Sequence, residues 1–134
     1  MNPIDLKSKL AEGGKVYGTM LWGIDSSRMA SFLDSEYLDY AIIEAEHAPR
    51  TLYQINAMTT ALRNKNITSI VRITSPNAEI AGATIDAGAD GILIPYCEDI
   101  EELKLSFGRT YFNPLKGEYL KKVLNTGEFP SKKS

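Results

Sequence analysis

The sequence predicts a parallel α/β chain. Apolar, strand-like runs alternate with segments of helical periodicity. The strand starts at positions 16, 40, 67 and 91 are separated by 24, 27 and 24 residues. The strand cores, such as Ala41-Ile42-Ile43 and Ile92-Leu93-Ile94, are apolar on both faces, as parallel strands between two layers must be. Four βα units of near-equal length call for one parallel sheet with right-handed crossovers.

Each element has a local reason. Val16–Trp22 is apolar and carries Val, Tyr and Thr, as strands do. Ser27–Leu38 places Met29, Phe32, Leu33 and Tyr37 at helical spacing and predicts the first helix after that strand. Tyr40–Ile43 is the second strand. Thr51–Asn64 is the second helix, with Leu52, Ile55, Met58 and Leu62 on one side and capping-box spacing from Thr51 to Gln54. Ile67–Ile73 is the third strand. Ser75-Pro76 reads as an N-cap followed by proline at the first helical position. Ala78–Ala87 is the third helix, ended by Gly88. Gly91–Pro95 is the fourth strand. Asp99 and Glu102 open a fourth helix that runs to about Phe107 by the same capping logic. There the alternation stops. Asn113–Gly117 is a Pro/Gly turn, Glu118–Leu124 suits one or two helical turns, and Asn125–Ser134 reads as a loop or frayed tail.

Two architectures fit this order: an open doubly wound sheet, or part of a (β/α)8 barrel. A full barrel takes about 250 residues, so four units in roughly 110 residues amount to half of one, with the C-terminal half missing.

Composition bounds the function. The chain has 134 residues, one domain or a piece of one. Hydrophobic residues at 43% and charged residues at 24% exclude a disordered or fibrous chain. A balance of 15 Lys+Arg against 17 Asp+Glu gives no basic face for nucleic acid or anionic lipid. The single cysteine, Cys97, excludes an internal disulfide framework and fits a reducing cytosol. Apolar runs of about five residues fall far short of the roughly 20 that span a bilayer. Met1–Leu10, with Asp5 and alternating lysines, lacks the apolar centre of a signal peptide. A cytoplasmic chain with neither a nucleic-acid nor a membrane partner is expected.

In parallel α/β folds the chemistry sits at the C-terminal ends of the strands. Here those ends are Leu21-Trp22-Gly23, Glu44-Ala45-Glu46-His47, Arg72 and Pro95-Tyr96-Cys97. Two carboxylates, the only histidine and an arginine therefore meet on one rim. Position alone leaves alternatives open. His47 suits acid/base work or an ordinary loop. Arg72 needs an anion, which is a substrate or a structural partner in Glu44 or Glu46. Trp22 suits a pocket wall or the core, Asp86 a solvated helix position, and Cys97 a small apolar filler. There is no P-loop, no G-x-G-x-x-G, no G-x-S-x-G and no zinc spacing. No lysine falls at a strand end, which argues against Schiff-base chemistry.

A family resemblance enters at these residues. Ile43-Glu44-Ala45-Glu46-His47-Ala48-Pro49 resembles the D-x-E-H-A-P signature of the HpcH/HpaI aldolase/citrate lyase family. Ile85–Pro95 resembles its L-D-x-G-A-x-G-[IL]-L-[VI]-P segment. Val71-Arg72, with Ser75-Pro76 after it, resembles the family's V-R and D-P or S-P helix start, and Tyr111–Gly117 its Y-x-P-x-x-G turn. The resemblance runs in order over about residues 10–120.

It implies the N-terminal half of a metal-dependent 2-oxo acid aldolase on a (β/α)8 (TIM) barrel. Residues 1–112 would be the partial barrel domain and 113–134 a turn, short helix and flexible tail. The implied reaction makes or cleaves the C–C bond of a 4-hydroxy-2-oxo acid, giving pyruvate or a similar 2-oxo acid and an aldehyde. It implies His47 as acid/base and Arg72 as holder of the 2-oxo oxygen and the developing enolate. It further implies that Asp86 assists His47, across a subunit contact of a homo-oligomer, and that Trp22 and Glu44 line the substrate. The third helix N-terminus at Ser75-Pro76 would favour an anion. A divalent ion, Mg²⁺ or Mn²⁺, is expected for the family, with its Glu and Asp ligands on later strands that this chain does not contain. The sequence departs from the pattern at Glu44, where the signature has aspartate. The alternative readings are a non-catalytic half-barrel that assembles with itself or another chain, and a small open α/β binding domain.

Overall fold

The computed structural model describes residues 1–128. Helix α1 (Pro3–Ala11) is followed by β1 (Gly18–Leu21), the 3-10 segment η1 (Ser27–Phe32), β2 (Tyr40–Glu44), α2 (Leu52–Asn64), β3 (Thr68–Arg72) and α3 (Ala78–Asp86). Then come β4 (Gly91–Leu93), α4 (Ile100–Tyr111) and α5 (Gly117–Thr126). The four strands form one parallel sheet in the order β1-β2-β3-β4, the sheet that the repeating βα pattern predicts. Among the described residues no helix is long and apolar enough to cross a membrane.

The sheet has two unlike faces. Leu21, Ala41, Ile43 and Val71 point to the side of α2 and α3 and join Ile55, Met58, Leu62 and Ala81 in one buried core. Alternation then sends the next residues the other way. That second face carries rows set by the strand register: Gly18-Tyr40-Thr68, Met20-Ile42-Ile70-Gly91 and Glu44-Arg72-Leu93. No helix covers the middle row, and Met20 remains 41% exposed. Helix α1 lies at the strands' N-terminal end, where Thr68 Oγ1 donates to the Met1 carbonyl at 2.7 Å. Gly18 is required in its row, because a Cβ there would sit 2.4 Å from the Tyr40 ring.

Several elements differ from expectation. The predicted helix over Ser27–Leu38 is only the short 3-10 segment to Phe32. Asp34 ends it by folding the chain on itself: its side chain accepts from Glu36 N at 2.9 Å and its carbonyl accepts from Leu38 N at 3.0 Å. Phe32 and Tyr37, expected on a buried helix face, are exposed. The third helix is capped by Asn77, whose Oδ1 accepts from Glu79 N and Ile80 N, and not by Ser75 before Pro76. The N-terminal anion site expected at Ser75-Pro76 is therefore absent at that position. The fourth strand is shorter, ending at Leu93, and α4 runs past Phe107 to Tyr111 because Ser106, Gly108 and Arg109 are buried. Helix α1 stands where the alternating βα pattern gives no element; Asn2 caps it, with Pro3 at the first position. Helix α5 is longer than two turns and packs Leu120 and Leu124 against Gly108. The expected tail lies outside the described residues from position 129 onward.

The capping box at Thr51 is formed as the spacing predicts. Gln54 N donates to Thr51 Oγ1 at 3.2 Å and Thr51 N to Gln54 Oε1 at 2.9 Å. Replacing Thr51 by Ala is expected to lower stability by about 1 kcal/mol, measured by urea denaturation.

Candidate active site

The site is built at the end of β2, around a carboxylate with no exposed surface. Glu44 is the last residue of that strand. Its Oε1 accepts from two backbone N–H groups, Glu46 N and His47 N, both at 2.8 Å. The chain is thereby wound back over its own strand end, and the turn sends His47 out to the mouth. The other oxygen, Oε2, lies 2.6 Å from Nε of Arg72, the register neighbour of Glu44 on β3.

Glu46 completes the cluster. Its Oε2 stands 3.2 Å from Arg72 Nε and 3.5 Å from His47 Nε2. The Arg72 N–H at Nε is aligned as a hydrogen bond with neither carboxylate, so these are ion pairs at close range. Only Nε is engaged in this way. Arg72 Nη1 and Nη2 make no hydrogen bond among the described residues, and the side chain is 21% exposed. Of the alternatives left open by sequence, the structural pairing of Arg72 with Glu44 and Glu46 is present, and it leaves the outer half of the guanidinium free.

The His47 ring stacks on Trp22, centroids 5.9 Å apart and planes at 22°. The indole thus forms one wall beside the imidazole, although Trp22 itself is 56% exposed. Charges follow the contacts. Burial pushes the Glu44 carboxyl up, but the Arg72 guanidinium and the N–H groups of His47 and Glu46 outweigh it and hold the carboxyl below its ordinary value. The Glu44 carboxylate in turn holds Arg72 above its ordinary value against some loss of hydration, with smaller help from Glu46 and Tyr96.

Asp86 is not at this rim. It is the last residue of α3, which returns the chain toward the start of β4, the other end of the sheet. There it accepts from Asn113 Nδ2 at 3.0 Å and lies 3.8 Å from Arg109 Nη2. Cys97 is partly exposed, with Sγ 3.7 Å from the Asp99 carbonyl. One residue of the region was missed. Arg50, just after His47-Ala48-Pro49, has a fully buried side chain that touches the ends of both β1 and β2. Its only sequence signal was a cation close behind the histidine turn.

A divalent cation does not fit these donors. Both carboxylates face the Arg72 guanidinium, which a cation would have to displace. Among the described residues no three His, Cys, Asp or Glu side chains come together to hold a metal.

A four-stranded parallel βα sheet with an imidazole, a half-engaged arginine and an indole at its C-terminal rim has the layout of part of a (β/α)8 barrel. No protein-family model matches the chain. The hydroxypyruvate/pyruvate aldolase of Roseovarius nubinhibens is 32% identical over 98 residues, which are 73% of this chain and 38% of that protein. The pyruvate aldolase of Rhizobium etli is 25% identical over 109 residues, 81% of this chain and 42% of its own. Among solved structures, an HpcH/HpaI aldolase from Desulfitobacterium hafniense DCB-2 aligns with a TM-score of 0.72 at 27% identity, covering 87% of this chain and 47% of that one. The chain is thus similar in sequence to pyruvate-type aldolases and in fold to an HpcH/HpaI aldolase. It spans about two-fifths of the length of the curated relatives it matches.

The low Glu44 pKa makes stability depend on pH. A carboxyl depressed in the folded state contributes fully above its unfolded value, near 4.5, and loses that contribution as pH falls through the folded value. Urea midpoints measured on descending from neutral pH are therefore expected to fall below about pH 5, with a shallower slope in Glu44→Gln.

Proposed function

We propose that this chain carries the acid/base and oxyanion-holding half of a 2-oxo acid aldolase site. The substrate class is a 4-hydroxy-2-oxo acid, cleaved to pyruvate or a similar 2-oxo acid and an aldehyde. The observation that supports this reading is that His47 and Arg72 meet at one carboxylate, Glu46, at the C-terminal rim of adjacent units.

The chemistry follows from those residues. A retro-aldol step needs a base for the hydroxyl proton on C4 and a fixed positive charge where the enolate oxygen forms on C2. His47 takes the hydroxyl proton. The C3–C4 bond breaks, its electron pair passes to the C2 carbonyl, and the aldehyde departs. Arg72 directs Nη1 and Nη2 at the 2-oxo oxygen and the adjacent carboxylate. The enolate then takes up a proton at C3, which closes the balance. Trp22 walls the pocket beside His47, and Glu44 sets the turn and pins Arg72. Asp86, held on the far side by Arg109 and Asn113, acts at His47 only from a second copy of the chain. Any divalent ion belongs to donors other than Glu44 and Glu46, and no step here passes through it.

Binding tests this directly. Isothermal titration with pyruvate, and with oxalate as a mimic of its enolate, is expected to show an interaction that Arg72→Ala weakens at least about tenfold, the cost of one lost charge-assisted pair. Wild-type chain that takes up neither ligand at millimolar concentration would remove the proposal.

A second reading, assembly as a half-barrel, has its own observation. The outer edges of β1 and β4 are unpaired among the described residues, and Met20 and Leu93 are 41% and 40% exposed on the inner face. Open parallel edges beside an apolar face favour association. Light scattering is expected to give a mass above that of one chain, reduced toward the monomer by Met20→Lys. A monodisperse wild-type monomer would sink this reading.

A further inference from the structure

We infer that Arg50 is a positioning residue that holds Trp22 against His47, and so keeps the acid/base imidazole in place over the Arg72 mouth. The catalytic meaning of this rests on the function proposed above; the geometry does not.

The need for such a residue comes from exposure. Trp22 is 56% exposed, and the His47 side chain is 51% exposed. Neither ring is locked by burial, yet they lie nearly parallel, 5.9 Å apart. Among the described residues no hydrogen bond ties the indole. The separation must therefore be set by the two backbones that carry the rings. Trp22 begins the loop after β1, a loop that passes through Gly23 at a φ of +69° and Ile24 to Asp25. His47 ends the turn after β2.

Among the described residues, Arg50 spans both. Its Nε donates to the Glu44 carbonyl at 2.7 Å, at the root of the histidine turn. Its Nη2 donates to the Leu21 carbonyl at 3.3 Å, the residue before Trp22. Its Nη1 donates to Asp25 Oδ1 at 2.6 Å, three residues after Trp22. The guanidinium thus brackets the Trp22 loop on both sides and bolts it to β2. The planar fork is suited to this, because one rigid group fixes three acceptors at once. A lysine keeps the charge and loses that geometry. The side chain has no solvent exposure, so its three acceptors hold it without competition from water.

The chain offers a clean reporter, since Trp22 is its only tryptophan and His47 its only histidine. A stacked imidazole quenches indole emission. Wild-type emission in the folded protein is expected to be lower than that of His47→Ala, which sets the unquenched level. Arg50→Lys is expected to recover at least half of that gap. Asp25→Ala removes a mostly exposed partner and keeps the arginine's two bonds to backbone carbonyls, so it tests the same bolt if Arg50→Lys does not fold; it is expected to recover part of the gap. Far-UV circular dichroism confirms the fold of each variant. If the folded variants lose stability but keep wild-type emission, Arg50 is structural only and the inference falls. It falls equally if wild-type and His47→Ala emit alike. The measurement needs no substrate, so a failure to bind pyruvate or oxalate leaves it intact.

Discussion

The top of this sheet is governed by the need to satisfy one buried anion. Glu44 has no exposed surface, and an ionised carboxylate in such a place is tolerated only with matched donors and a countercharge. Two donors come from the backbone two and three residues on, Glu46 and His47, and the countercharge from the register neighbour on β3. Satisfying the carboxylate therefore does three structural things at once. It closes the turn after β2, it projects His47 toward the mouth, and it draws the Arg72 guanidinium inward along the same face. The glutamate that stands where the family signature has aspartate performs this through its longer arm, which reaches back to both N–H groups. The carboxylate acts on the His47 backbone, and the imidazole itself is left to face Glu46.

The same face explains why the sheet reads as half of a barrel. A parallel strand that is apolar on both sides predicts two covering layers. Helices α2 and α3 supply one. On the other side the Met20-Ile42-Ile70 row stays partly exposed, below the polar row of Glu44 and Arg72. In a closed barrel such rows stack as interior layers, with the chemistry above them at the C-terminal end. The layering is already present in four strands, and α1 sits at the opposite end, where a barrel floor would be.

What could be read from the residues follows from how local each cause is. The strands, α2 and its cap, and the rim of Trp22, Glu44, His47 and Arg72 were legible because strand ends in a parallel sheet fix position directly. The helix expected over Ser27–Leu38 failed because periodicity does not register a competing side chain, and the Asp34 turn outbids the helix there. The Ser75-Pro76 start failed for a similar reason: Asn77 offers a cap two residues on. Arg50 escaped notice because two of its three partners are backbone carbonyls from distant residues, which leave no trace in composition. Asp86 entered through resemblance alone, and within one chain it is committed to Arg109 and Asn113.

The state of Arg72 decides what the rim can do. A guanidinium wholly matched by carboxylates has little left for a developing oxyanion, and a wholly unmatched one would wander or cost too much to hold inside. Arg72 stands between these. Its Nε faces Glu44 and Glu46, which fixes the plane of the group, while Nη1 and Nη2 make no hydrogen bond among the described residues. A charge held rigid at one nitrogen and open at two others stabilises a forming negative oxygen without reorganising when it appears. A lysine ammonium, a single compact point charge, has no such division of labour. Beside it His47 keeps half its side chain in solvent, so in the proposed reaction a proton taken from a substrate hydroxyl would have an exit. The arginine is buried enough to be held in one orientation, and the imidazole is exposed enough to exchange a proton with solvent, the combination that the proposed reaction requires.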